Sequence, residues 1–185
     1  MKLERIPSPE ADEYAPFYAG YVALARERDP LGLLKRQAPV LRATCTGMTD
    51  AEAHHRYAPG KWSIKEVLGH LADTERILSY RLLRISRGDP TPLSGFDENA
   101  YVAAAGFDAR PVRSLLTEFE SVRAATLRMI EALPPEAWIR RGVANGAEVS
   151  ARALVFILAG HVEHHFEILR QRYKLAVPHI EAPPA

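Results

Sequence analysis

The chain has 185 residues, 47% apolar and 25% charged, as expected of one ordinary globular domain large enough to bury a core. Its formal net charge of +1, from 24 basic and 23 acidic residues, gives no basic surplus for a nucleic-acid polyanion, and no stretch approaches the roughly 20 apolar residues of a membrane span. The single cysteine, Cys45, forbids an intrachain disulfide and points to a reducing compartment, the cytoplasm; residues 1–5 are followed by no apolar run, so no signal peptide is expected.

Four long amphipathic segments follow in order. A short helix near 14–26 precedes the first of them, 31–48, which places Leu33, Gln37, Val40, Thr44 and Met48 on one face. The second opens at Ser63, an N-cap residue with Glu66 three positions on, the pattern of a capping box; Trp62 and Val67 complete a hydrophobic staple. It runs with Ile64, Val67, Leu68, Leu71, Leu78, Leu82 and Ile85 inward and stops at Gly88. The third follows Asp108, carries Pro111 in its first turn, and ends before Pro134-Pro135. Its stripe is Val112, Leu115, Leu116, Phe119, Val122, Ile130 and Leu133. The fourth starts near Ser150 and reaches about Lys174.

The connections 49–62, 89–107 and 135–149 exceed minimal helix–helix turns, with room for short strands or a small helix such as 97–104. No segment sustains period-two alternation, so no sheet is required. The expected fold is all-α: a four-helix bundle with long inter-helix loops, one domain over 1–185 with a core of about 31–174 and an irregular tail at 177–185.

The fourth helix carries His161-Val162-Glu163-His164-His165. On a helical wheel, His161 and His165 fall within about 60° of Leu154, together with Leu158 and Leu169, in the middle of the core-facing stripe. Two buried imidazoles need a partner, and a divalent metal is the simplest one. A three-histidine site takes its third ligand from another element. His70 lies on the second helix at the edge of its apolar stripe and can reach inward; His164, on the flank of the fourth helix, is the alternative. His54 and His55 fall in a polar loop and His179 in the tail. The competing reading is that these histidines are ordinary core residues bonded to carbonyls or carboxylates. The H-E-x-x-H protease motif is absent, since Glu163 falls two residues after His161 on the far face.

Glu75 and Arg123 also fall on inward stripes, where an unpaired charge is costly. They either pair with each other or border a polar cavity beside the metal. In the cavity reading they are catalytic candidates, Glu75 orienting a ligand imidazole or accepting a proton and Arg123 holding an anionic group, with Gln37 and Thr44 lining the same space. Cys45 points off the stripe as an inert buried thiol.

The pattern Gly60-Lys61-Trp62-Ser63-x-x-Glu66-x-x-x-His70-Leu71-Ala72-Asp73, then Phe96-Asp97-Glu98-Asn99-Ala100-Tyr101, then His161-x-x-His164-His165 resembles the DinB-like superfamily, and within it the YfiT-type thiol transferases. The resemblance spans roughly 31–173. It implies a four-helix bundle holding a divalent metal on three histidines, by position His70, His161 and His165. It implies metal-dependent transfer or isomerisation with a low-molecular-weight thiol such as bacillithiol or mycothiol as cosubstrate, the Phe96–Tyr101 segment near the site, and a homodimer. Family membership alone does not fix the reaction.

The expected function is therefore a divalent-metal enzyme acting on a small-molecule substrate, with zinc or nickel, then iron or manganese, as the metal. Three histidines leave an open coordination position, where a thiol would ionise and attack an electrophile, or water would be activated by a hydrolase. The remaining alternatives are a metal-binding module without chemistry and a metal-free interaction bundle. A fourth protein ligand would favour a structural metal.

Overall fold

The structure is a computed structural model that describes residues 6–180. The N-terminal residues behind the signal-peptide expectation, 1–5, and the tail residues 181–185 lie outside the described residues. The elements are α1 (Ala19–Arg26), α2 (Pro30–Cys45), α3 (Ile64–Ser86), α4 (Glu98–Ala105), α5 (Val112–Glu131), a hairpin of β1 (Arg141–Ala144) and β2 (Ala147–Ser150), and α6 (Ala151–Gln171). The long helices α2, α3, α5 and α6 form the bundle. Helix α3 packs on α5 and α6, and so does α2; α1 lies against α6. No helix among the described residues is long and apolar enough to cross a membrane.

Local chemistry sets the boundaries. Asp29 caps α2 by accepting from the Leu31 and Gly32 amides at 3.1 and 2.9 Å, with Pro30 as first helical residue. The capping box of α3 forms as read: the Glu66 amide donates to Ser63 Oγ at 3.0 Å and the Ser63 amide to Glu66 Oε2 at 2.7 Å. Ser150 Oγ accepts from the Ala153 amide at 3.0 Å and starts α6. Asp97 caps α4.

Three expectations need correction. The buried face of α2 comprises Leu33, Leu34, Gln37, Ala38, Leu41 and Cys45, while Val40 and Thr44 are half-buried. The more apolar stripe at 34, 38, 41 and 45 won, and Thr44 satisfies its hydroxyl on the Val40 carbonyl. The helix stops at Cys45, and Gly47, at φ 81°, turns the chain before Met48. Pro111 precedes α5 as its N-cap residue instead of lying in its first turn, and Asp50 Oδ1 accepts from the Val112 amide at 2.8 Å in place of a local cap. The connection 135–149, which had room for short strands, holds them as a two-stranded hairpin. Asn145 and Gly146, at φ 54° and 75°, provide the paired left-handed residues of a tight hairpin, with Ala144 opposite Ala147. The Leu93 amide donates to the Val143 carbonyl, and the Asn145 amide to the Leu93 carbonyl, both at 2.9 Å. These bonds hold the hairpin tip beside the bundle. The segment 175–180 has no regular structure, but Val177 and Ile180 are buried and Arg170 Nε donates to the Val177 carbonyl at 2.8 Å.

Helix α1 approaches α6 closely because α6 carries Gly160 there. A Cβ on Gly160 would fall inside the contact distance of the Tyr21 carbonyl oxygen, a backbone atom with little freedom to retreat. Gly160→Ala is therefore expected to displace α1, with a loss of 2 kcal/mol or more, on the order of an overpacked core. Urea unfolding measures it; a change of less than about 0.5 kcal/mol would show that α1 is not clamped.

Candidate metal centre

Helix α3 contributes His70 and α6 contributes His161 and His165; all three are buried, at 5–6% exposure. Their Nε2 atoms converge: His161 Nε2 lies 3.0 Å from His70 Nε2 and 3.2 Å from His165 Nε2. Imidazole nitrogens about 2.05 Å from one tetrahedral ion are separated by about 3.3 Å, so this spacing suits a shared ion. Among the described residues, these three are the histidine, cysteine and carboxylate side chains whose ligand atoms gather within 4.8 Å of one another.

Burial also sets the protonation state. It pushes His70 down to about 4, with the nearby His164 adding to the shift. Burial, followed by the neighbouring histidines, holds His161 and His165 well below the usual histidine range. Neutral imidazoles offer lone pairs, the form a metal requires. Thr74 Oγ1 lies 3.3 Å from His70 Nδ1, while His165 Nδ1 is buried without a partner.

The same burial gives a pH dependence in the metal-free protein. His70 titrates near 4 when folded and near 6.5 when unfolded, so below about 6.5 the unfolded chain binds more protons and stability falls. His70 alone should cost about 2 kcal/mol by about pH 5. Urea unfolding of chelated protein at pH 7.5 and pH 5 reads this; equal stabilities would refute neutral burial.

The histidines face a cavity of about 430 Å³. Phe17, Tyr18, Tyr21, Trp62 and Phe96 provide aromatic walls, and Thr74, Arg81, Glu98, His164 and Asn145 the polar positions. Trp62 tilts over His70 with ring centroids 4.6 Å apart, and Tyr21 meets His161 edge-on at 5.5 Å. Phe96, in the segment expected near the site, is in the wall.

Other sequence candidates are distributed differently. His164 is half-buried, lines the cavity and contacts Tyr21, but stays out of the converging trio. His54 Nε2 bonds with the Asp108 carbonyl at 2.9 Å, His55 packs near Tyr173, and His179 is exposed. Cys45 is buried, and burial pushes its thiol up to about 11, the inert state expected.

Glu75 and Arg123 are placed as a core ion pair and line no part of this cavity. Arg123 donates from Nε and Nη2 to the two Glu75 oxygens, each at 2.7 Å, and from Nη1 to the Leu34 carbonyl and Gln37 Oε1 at 2.8 and 2.9 Å. With its donors spent on these partners, Arg123 is no substrate clamp, and Glu75 holds a guanidinium instead of an imidazole. Gln37 Nε2 continues the network to the Ala159 carbonyl and Glu163 Oε1, at 2.8 and 2.9 Å, and Arg28 donates to Glu163 Oε2 at 2.8 Å. Glu163, Gln37 and Thr44 are thus outside the cavity wall.

A family model for the DinB superfamily matches residues 33–169. The chain belongs to the DinB superfamily. A protein from Oceanobacillus iheyensis, named as a metal-dependent hydrolase, is 27% identical over 130 residues, which is 68% of this chain and 72% of that protein. One of the same name from Geobacillus thermodenitrificans is 23% identical over 133 residues, 70% of this chain and 75% of that one. Among solved structures, YfiT from Bacillus subtilis, described as a metal-dependent hydrolase with an unusual four-helix bundle topology, matches with a TM-score of 0.69 at 15% identity, covering 88% of this chain and 91% of its own. A mycothiol-dependent maleylpyruvate isomerase matches with a TM-score of 0.61 at 18% identity, over 74% of this chain and 57% of the isomerase. At these identities the structural matches establish the shared bundle fold.

The sequence reading missed Arg81. It falls eleven residues after His70, seven after Thr74 and three after Leu78, so helical spacing puts all four on one stripe. That spacing was the signal available.

Proposed function

We propose that His70, His161 and His165 hold a divalent metal at the wall of the aromatic cavity, and that the protein transfers a low-molecular-weight thiol to a small electrophile. The observation that carries this reading is the convergence of three neutral imidazoles, without a fourth protein ligand among the described residues, beside an open cavity. A bound divalent ion supplies Lewis acidity and acidifies a coordinated thiol or water.

The chain's own residues favour the thiol. Hydrolysis of the protease type uses a carboxylate beside the metal ligands to take the proton of water. Glu163 is turned to Gln37 and Arg28, Glu75 is committed to Arg123, and Glu98, the carboxylate in the cavity wall, is exposed. A thiol, ordinarily near 8.5, ionises with far less help than water. Trp62 and Tyr21 pack on His70 and His161 and restrict water, while Thr74 orients the His70 ring. The resemblance in fold to a mycothiol-dependent enzyme supports this reading; the names of the curated relatives support hydrolysis as the second.

The test is a screen of zinc- and nickel-loaded protein with thiols plus small electrophiles, and with esters and amides alone. Thiol-dependent consumption of electrophile, lost in His161→Ala, is expected. Turnover of an ester or amide without thiol would replace transfer with hydrolysis, and inactivity of the loaded protein in both arms would leave a binding module.

A further inference from the structure

Arg81 sits in α3 at 2% exposure and lines the cavity that holds the three histidines. It makes one hydrogen bond, Nη2 donating to the Ser94 carbonyl at 2.7 Å, and among the described residues no carboxylate pairs with it. The other fully buried arginine among the described residues, Arg123, is spent on Glu75. A guanidinium always carries its charge, and burying one without an anion is expensive. Its Nε and Nη1 have no protein partner, yet neither is a fully enclosed unsatisfied atom, so they border open space.

We propose that Arg81 anchors a carboxylate of the molecule bound in this cavity, so that the substrate or cosubstrate is a small organic acid. This rests on the cavity being the working site, as proposed above. Arginine offers a planar pair of donors that matches a carboxylate, and the bond is strengthened by low surrounding polarity. The position also sets a length. Arg81 follows His70 by about 16 Å of helix rise, and its side chain leans back toward the N-terminal end of α3. The acid group of the ligand therefore lies several bonds from the atom that reaches the histidines. Trp62, Phe96 and Leu78 line the same cavity and suit a flat or apolar stem. The class is an extended monocarboxylate, or a thiol bearing a remote carboxylate.

The experiment compares hexanoate with hexanamide, which share shape and differ in charge, by calorimetric titration of the full chain in zinc-loaded and chelated forms. Hexanoate should bind at least tenfold more tightly than hexanamide in both forms. Arg81→Met should remove that preference without changing hexanamide binding, and Arg81→Lys should keep part of it. Equal binding of acid and amide, absence of hexanoate binding at millimolar concentration, or a preference that survives Arg81→Met in the chelated protein would overturn the assignment. Should Arg81→Met unfold, the partial retention by Arg81→Lys decides, and full retention there with wild-type affinity counts against a paired-donor fit. Failure of the protein to take up zinc would sink the histidine reading instead, and the chelated arm would still report on Arg81.

Discussion

Replacing His161 with alanine should abolish stoichiometric divalent-metal binding. His161 is the shared vertex of the cluster, with its Nε2 3.0 Å from that of His70 and 3.2 Å from that of His165. Without it, two imidazoles from different helices remain, His70 and His165, with ring centroids 4.9 Å apart, one ligand short of the three-histidine set. Loss of a mere supporting hydrogen bond to a ligand weakens metal affinity by about 10–100-fold, so loss of a ligand should exceed about a hundredfold. Elemental analysis and competition with a chromophoric chelator measure the change, with circular dichroism confirming that the helices remain. The three histidines bridge α3 and α6, so a metal held as proposed should also raise the melting temperature of the native chain, and chelation should lower it. Full occupancy in the His161→Ala, His165→Ala double variant would end the three-histidine reading.

The second large effect lies in the core. Arg123→Met should cost about 3–5 kcal/mol, because it strands the Glu75 carboxylate at 2% exposure. Gln37 Oε1 and the Leu34 carbonyl lose their donor at the same time. Glu75→Leu combined with Arg123→Met should recover most of that loss, since a desolvated ion pair is about break-even against apolar side chains of similar volume. The contrast between single and double variants, read by urea unfolding, separates a stranded charge from lost packing. A single-variant cost below about 1 kcal/mol would mean that water reaches the pair.

Where the chain states its structure locally, the sequence was enough. Ser63 and Glu66 define a helix start by their own hydrogen bonds, and the two histidines four apart on an apolar stripe share a face by geometry alone. Two kinds of information were not local. The face of α2 depended on which of two adjacent apolar stripes met α5 and α6, and the stripe through Leu34 and Leu41 prevailed over that through Val40. The partners of charged residues depended on packing between helices. Arg123 and Arg81 both sit on inward stripes, yet one meets Glu75 and the other a carbonyl and a cavity. The hairpin differs again: Asn145-Gly146 was a legible turn signal, but its strands are too short to show alternation.

The separation of 91 positions between His70 and His161 carries a consequence for biosynthesis. At about 5–20 residues per second, a ribosome needs roughly 5–20 s to make that interval. The nascent chain throughout that time presents one imidazole of the three, too few to retain an ion against cellular chelators. On the proposed reading, metal acquisition therefore follows synthesis of α6. If the three histidines hold an ion as proposed, the metal pool met by the folded chain, rather than competition during synthesis, sets which ion enters.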